Sequence, residues 1–370
     1  MNPQNETAKK SSSFTGAASQ RRNDPGVAIP IAGGRSLRPT PVYDTYWRFA
    51  ARRQAMFIKR VNGEAQPWTN DPVLASHRFT NVYRAADRVS QYLIRYVLYR
   101  GPQTEEEIFF RALLFKLFNR IDVWQALRRE LGEISWKKFD YERYARILDA
   151  MMARGERVYS AAYIMPSPSF GNARKHRNHL RLLEHMMRKG APGRIASARS
   201  LQEVVEILRG FPSLGYFLAF QFAIDLNYSE LITFSEMDFV AVGPGARDGI
   251  RKCFVDGAGL SDADIVRVVT ERADREFDRL GLVFSTLWGR PLQLIDCQNL
   301  FCEVGKYSRV VHPEVTGDSG RTRIKQKYVR NPEPLVQWYP PKWQLKVPHS
   351  LTTDPVERSP GQQMLFRQER

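Results

Sequence analysis

The stretch Gly210-Phe211-Pro212-Ser213-Leu214-Gly215-Tyr216-Phe217-Leu218-Ala219-Phe220-Gln221-Phe222-Ala223-Ile224-Asp225-Leu226 carries two signals. Its first part is a tight turn, with proline and glycine where a chain reverses and a serine between them. From Tyr216 to Leu226 it is apolar on almost every face, which marks a helix buried in the middle of a bundle. Ser200 and Glu203 form a capping box ahead of Val204, Val205 and Leu208, so a helix also precedes the turn. Helical stripes continue outward in both directions. Toward the N-terminus they run through Val89, Tyr92, Leu93, Tyr96 and Val97, and then through Ile108, Phe109, Ala112, Leu113 and Leu117 behind a Thr104/Glu107 capping box. Further stripes hold Trp124, Leu127 and Leu131, then Tyr144, Ile147, Leu148 and Met151, then Leu180, Leu183 and Met187. Beyond the quoted stretch, helices are expected over about 262–280 and 294–307. Strand patterns are scarce and no internal repeat is visible, so the expected fold is mainly α.

Charge narrows the partners. The 370 residues hold 56 Lys and Arg against 39 Asp and Glu, a net charge of +17 that favours a polyanion through counterion release. Nucleic acid leads that class, with a membrane surface or the ribosome as alternatives. The three cysteines, Cys253, Cys297 and Cys302, form no CxxC pair, and no histidine stands at ligand spacing, so no disulfide framework, metal or cofactor is expected. No run is long and apolar enough to span a bilayer. The expectation is a soluble protein, cytoplasmic and nucleoid-associated, or nuclear in a eukaryote. Residues 1–38, poor in apolar positions, read as a disordered basic arm, 39–310 as the helical domain, 311–348 as an extended basic segment, and 349–370 as a disordered tail.

The quoted turn resembles a helix-hairpin-helix element, in which backbone N–H groups at a helix N-terminus, here around Gly215, bind a DNA phosphate without reading sequence. Base-excising members of the superfamily built on that element place a catalytic aspartate shortly after its second helix. That resemblance makes Asp238 the first candidate and Asp225 the second. The plain alternative has Asp225 pairing with an arginine and Asp238 opening a turn. The hairpin position that lyase members give to a nucleophilic lysine is Phe217, so Schiff-base chemistry is not expected there. Next comes Gly243-Pro244-Gly245, leading toward Arg251 and Lys252, a turn that can cradle an anion between backbone amides and cations. It can equally be an ordinary loop. No GxxxxGK[ST] occurs, so phosphoryl transfer by a P-loop mechanism is not expected.

Two polar blocks complete the candidates. Trp68, Thr69 and Asp71 lie just ahead of Arg78, Asn81, Arg84 and Arg88, whose spacings of three and four would put them on one helix face. Aromatic, amide and guanidinium groups can stack on a base and bond its edges. A salt-bridged solvated face is the alternative. Near the end, Gln298, Asn299, Glu303, Lys306 and Arg309 concentrate amides, a carboxylate and cations, with Glu303 and Lys306 alternatively a simple i,i+3 ion pair.

The patterns Pro67-Trp68-Thr69 with Asp71-Pro72, Arg78-Phe79 with Asn81-Val82-Tyr83-Arg84, Gly243-Pro244-Gly245, and Gln298-Asn299 with Cys302-Glu303 and Lys306-Tyr307 together resemble the helical domain found with 5-hydroxymethyldeoxyuridine DNA kinases, the glycosylase-like family also called α-glutamyl/putrescinyl thymine pyrophosphorylases. The resemblance covers roughly Tyr43 to Arg309. It implies a glycosylase-like fold and thymine hypermodification, in which a 5-hydroxymethyl group on DNA is activated with phosphate and an amine or amino acid displaces pyrophosphate. Kinase members of the family carry a separate P-loop domain. The expected activity is accordingly a transferase acting on a flipped, 5-substituted pyrimidine, with the amine as co-substrate and a separate DNA kinase as partner. A monofunctional glycosylase and a non-catalytic reader of modified DNA stay open as alternatives.

Overall fold

The computed structural model describes residues 28–331 and 336–352, so 1–27 of the arm expected over 1–38 and 353–370 of the tail expected over 349–370 lie outside the described residues, while 349–352 form a short helical turn, His349–Thr352. The helices, in order, are α1 (Pro41–Val61), α2 (Pro72–Ser76), α3 (Arg88–Tyr92), α4 (Glu105–Phe118), α5 (Ile121–Leu131), α6 (Tyr141–Ala153) and α7 (Lys175–Arg188). They are followed by α8 (Ala191–Ala196), α9 (Leu201–Arg209), α10 (Tyr216–Asn227), α11 (Pro244–Cys253), α12 (Asp262–Glu271), α13 (Ala273–Arg279) and α14 (Leu294–Val311).

These helices pack as two groups. In one, α4 and α10 form the centre, and α5 to α9 wrap them. Both central helices are apolar on nearly every face, and Leu218 to Asn227 are buried without exception. In the other group α14 is the axis, flanked by α1, α11 and α12, with α13 packed on α1. The short turn Arg84–Ala86 lies between the groups, against α14 on one side and reaching α10 on the other.

Several expected boundaries move. Residues 28–38, expected to belong to the arm, instead hold β1 (Ile29–Pro30) and β2 (Ser36–Leu37), which pair antiparallel and bury Ile29 and Leu37. The stripe from Val89 to Val97 is not one regular helix, since α3 passes into a π-helical turn at Leu93–Leu98. The helix expected over 262–280 breaks at Arg272, the C-cap of α12. Residues 78–88 are mostly irregular, and the shared helical face expected for Arg78, Asn81, Arg84 and Arg88 does not form. The segment after α14 returns along the body. Tyr328 N donates to Ser76 O (3.0 Å), Trp338 N donates to Gln91 Oε1 (2.7 Å), and the Trp343 ring meets Tyr228 at 5.4 Å.

Glycines set the separation of α11 and α14. A Cβ on Gly249 would stand 1.9 Å from Phe301 O, and one on Gly245 would stand 2.6 Å from Cys302 Sγ. Gly305 faces Gly249 from the other helix, so the two backbones touch where no side chain could fit. At its start, α14 is capped by Asp296, whose carboxylate accepts from Gln293 N (3.1 Å) and from Arg84 N (2.8 Å). Burial pushes the Asp296 carboxyl up to about 7, with nearby Glu236 adding and those two backbone donors opposing.

Two outcomes follow from these contacts. Gly249→Ala is expected to cost roughly 3 kcal/mol by forcing α11 away from α14, read as a lowered melting temperature; an unchanged melt would mean the helices do not approach this closely. Unfolded aspartates titrate near pH 4. Between about pH 4 and about pH 7 the folded chain therefore retains a proton on Asp296 that the unfolded chain has lost, and the stability contributed by this group falls as pH rises. The melting temperature of Asp296→Asn should decline less than that of the parent between about pH 5 and about pH 8, and equal slopes would show that burial does not raise this carboxyl.

Candidate functional site

Arg84 is the residue around which the polar interior is arranged. Its chain enters on the 84–86 turn, and the side chain runs inward between the two helical groups, 4 % exposed. Its Nη2 pairs with Asp225 Oδ1 at 2.6 Å, and its Nε donates to Gln221 Oε1 at 3.2 Å. Asp225 is shared: Lys116 Nζ from α4 lies 2.7 Å from its other oxygen, an ionic contact rather than a well-directed hydrogen bond. The guanidinium lies over the Tyr228 ring at 5.4 Å. Lys116 lies over the Tyr163 ring at 4.4 Å, and the Tyr163 hydroxyl donates to Gln221 Oε1 at 3.1 Å. Two donors in this buried group, Arg84 Nη1 and Gln221 Nε2, have no hydrogen-bond partner among the described residues. A buried polar atom without a partner costs free energy.

The two candidate carboxylates are thus separated in role. Asp225 is held by two cations under the protein surface, the arginine-paired arrangement that was the plain alternative for it. Asp238 is exposed on the loop after α10 and lines an open groove with Tyr216, Arg247, Asp262 and Arg267. Arg267 fixes that loop, donating to Met237 O (2.7 Å) and Asp238 O (3.0 Å). Arg247 pairs with Asp262 at 3.0 Å across the groove.

Tyr216, in the same groove, is the first residue of α10. The turn before it places Ser213 at φ 64°, the left-handed backbone that a glycine ordinarily takes, so the serine does not prevent the reversal. Gly215 is the N-cap and offers no side-chain acceptor, which leaves the N–H groups of the first turn uncapped by it. Arg209 lies over the Tyr216 ring at 5.0 Å.

The cations expected to hold phosphate are not brought together. Gly243 and Gly245 serve close packing: a Cβ on Gly243 would stand 2.6 Å from the Phe217 ring, and Gly245 faces Cys302. Lys252 is buried and donates to Gly305 O at 3.0 Å, and burial lowers its pKa. Arg251 pairs with Asp262 at 2.8 Å, while Arg309 donates to Arg323 O at 3.2 Å.

The remaining candidates build a scaffold beside the junction. Trp68 Nε1 donates to Glu64 O (2.8 Å), and Thr69 Oγ1 accepts from Asp71 N (3.1 Å). Asp71 caps α2 and also receives Arg52 and the Tyr307 hydroxyl. Asn81 is fixed by Arg53 (2.6 Å) and by Ala86 O (2.8 Å), and its N–H donates to Asp87, whose carboxyl burial pushes up to about 6. Glu303 accepts from Thr80 N (3.0 Å) and from Lys306 (2.8 Å), which also donates to Arg78 O. Arg78 itself is exposed, and Arg88 and Asn299 are half-buried. Gln298 is buried, and its Oε1 has no hydrogen-bond partner among the described residues. Among the described residues no cluster of His, Cys, Asp and Glu is arranged to hold a metal ion, and no helix is long and apolar enough to cross a membrane.

Sequence reasoning missed Lys116, Gln221 and Tyr163. The available signal was a lysine inside the apolar run of α4, and a glutamine four residues before an aspartate in the apolar α10. Tyr163, in an irregular segment, had none.

The family model for the helical domain of 5-hydroxymethyldeoxyuridine (5-hmdU) DNA kinases matches residues 40–317. A 5-hmdU DNA kinase of Bacillus phage SP10 is 30% identical over 290 residues, which cover 72% of this chain and 45% of the phage protein. The chain thus spans less than half the length of that relative. No solved structure matches. The family match begins at the N-cap of α1 and ends beyond α14, so it takes in both helical groups and the Arg84 junction between them. The chain belongs to the family of the 5-hmdU DNA kinase helical domain.

Proposed function

We propose that this chain binds DNA and draws a 5-hydroxymethyluracil base out of the duplex for modification at its 5-hydroxymethyl group. The observation that carries this reading is the junction between the helical groups, where a guanidinium and an amide are buried with donors left open. The net charge of +17 supports DNA as the partner. The family's name supports 5-hmdU as the base. The turn before α10 supports a sequence-independent phosphate contact through its uncapped amides.

The chemistry proposed is displacement rather than excision. In that reaction an amine nitrogen bonds to the exocyclic methylene carbon as the carbon–oxygen bond to a pyrophosphoryl group breaks. Pyrophosphate leaves with that oxygen, and the proton lost by the amine passes to Asp238. Lys252 is buried and Arg251 does not line the groove, so the cations beside Asp238 are Arg247, paired with Asp262, and Arg267, which would steady the leaving group. The activated substrate would come from a separate DNA kinase, and the amine or amino acid would be the co-substrate.

Mass spectrometry of nucleosides tests this directly, using 5-hydroxymethyluracil DNA with and without prior phosphorylation, incubated with the chain and a pool of amines. A new thymidine adduct establishes the transfer. Loss of the base with abasic sites would replace it by a glycosylase, and unchanged but tightly bound DNA would replace it by a reader of modified DNA. Asp238→Asn is expected to slow adduct formation by about 10²- to 10⁴-fold, and an undiminished rate would remove Asp238 from the chemistry. Affinity for duplex DNA should fall steeply with salt, with a log–log slope of roughly −5 if about six phosphates are neutralised; a flat dependence would exclude DNA as the partner.

A further inference from the structure

The segment between α6 and α7, residues 154–174, is irregular and crosses the Arg84 junction. It is anchored before the crossing, where Ser160 N donates to Phe118 O (2.9 Å), and after it, where His179 bonds Pro166 O (2.9 Å). Between those anchors Ala161 and Ala162 are exposed and Ile164 is 89 % exposed, while the aromatic Tyr163 turns inward. Its ring covers the Lys116 ammonium and faces Phe217 at 6.3 Å, and its hydroxyl donates to Gln221 Oε1. A flat aromatic ring with one hydrogen-bond donor therefore lies against Gln221, whose Nε2, like Nη1 of its neighbour Arg84, stands without an acceptor among the described residues.

We propose that Tyr163 holds the place of a uracil-type base, and that Gln221 and Arg84 read the base's imide edge once Tyr163 has swung out. The proposal rests on the base-handling reading above and adds to it which residues discriminate. A uracil-type edge offers acceptor, donor and acceptor in sequence. Its N3–H can take the position of the Tyr163 hydroxyl on Gln221 Oε1, one carbonyl can accept from Gln221 Nε2, and the other can accept from Arg84 Nη1. Gln221 cannot reverse its amide, because Arg84 can only donate and so fixes the oxygen toward itself. Cytosine carries an exocyclic amine in place of one carbonyl and an acceptor at N3, which would set a donor against Arg84 and leave it unpaired. Leaving buried donors unmatched is how a polar site rejects the wrong ligand most strongly.

The test uses the full chain and duplexes carrying a single 5-hydroxymethyluracil or a single 5-hydroxymethylcytosine. Affinity is read by fluorescence anisotropy, and base extrusion by 2-aminopurine placed next to the modified base. Tyr163→Phe keeps the ring and removes the bond to Gln221. It is expected to tighten binding of the 5-hydroxymethyluracil duplex by about 3- to 10-fold, since one net hydrogen bond no longer holds the site shut. Gln221→Glu keeps the acceptor and removes the donor, and is expected to abolish the preference for 5-hydroxymethyluracil over 5-hydroxymethylcytosine. If the parent chain extrudes the base and prefers 5-hydroxymethyluracil while Tyr163→Phe leaves its affinity unchanged, the placeholder is overturned and the base-handling reading survives. A parent chain that neither extrudes nor prefers the modified base overturns both. Should Gln221→Glu fail to fold, Tyr163→Phe on the half-exposed segment decides the matter alone.

Discussion

One aspartate, Asp225, is shared in the interior by Arg84 and Lys116, and the arrangement of the two helical groups follows from that sharing. Each of these ions loses its hydration on folding, a penalty of several kcal/mol apiece that only close opposite charge and further hydrogen bonds can offset. The three groups come from α10, α4 and the 84–86 turn, so satisfying them fixes where those three elements stand. The same turn is tied from behind, where Asp296 at the start of α14 accepts from Arg84 N. Arg84 is thereby held through its backbone by one helical group and through its side chain by the other. A single residue with both attachments makes the junction a defined feature rather than a loose seam between two bundles.

The surrounding structure keeps that junction in place. On the α14 side, the glycine contacts at Gly249 and Gly305 leave the helices no freedom to slide apart. On the α10 side, the returning segment seals the far end. Trp343 packs on Tyr228, with Arg290 over the Trp343 ring at 3.8 Å, and Lys342 donates to Ile232 O at 2.6 Å. What covers the junction itself is Tyr163, on an irregular stretch whose neighbours are exposed. The rigid parts and the yielding part are thus separated: helices hold the polar groups, and a loop covers them.

How much of this was legible in the sequence depended on whether a signal was periodic. The buried α10 and its approach from α9 could be read from an apolar run behind a turn and a capping box, and they stand where expected. Glu303 and Lys306 form the i,i+3 pair that spacing allows, though the pair also grips the 78–81 segment, which spacing cannot express. Arg78, Asn81, Arg84 and Arg88 show where periodicity misleads. Their spacing fits a helix, but Asn81 bonds backbone at Ala86 and Asp87 takes the Asn81 N–H, a local pattern that competes with helix formation. The Gly243-Pro244-Gly245 turn looked like an anion cradle because glycine leaves no trace of which neighbour it makes room for. Here the neighbours are Phe217 and Cys302. Lys116 was invisible for the opposite reason: inside an apolar helix it scans as a break in the stripe, and only the fold brings it to Asp225.

The separation of the two aspartates bears on how recognition and reaction are divided. A carboxylate fixed between two buried cations is committed to holding them in place. Asp225 thus orients Arg84, which in turn holds Gln221. Asp238 is exposed beside Arg247 and Arg267 in an open groove. The first turn of α10 links the two regions, since Tyr216 lines the groove and Phe217 faces Tyr163. Under the proposed function, gripping the strand through the uncapped first-turn amides and presenting Gln221 to the base would both fall to this one helix.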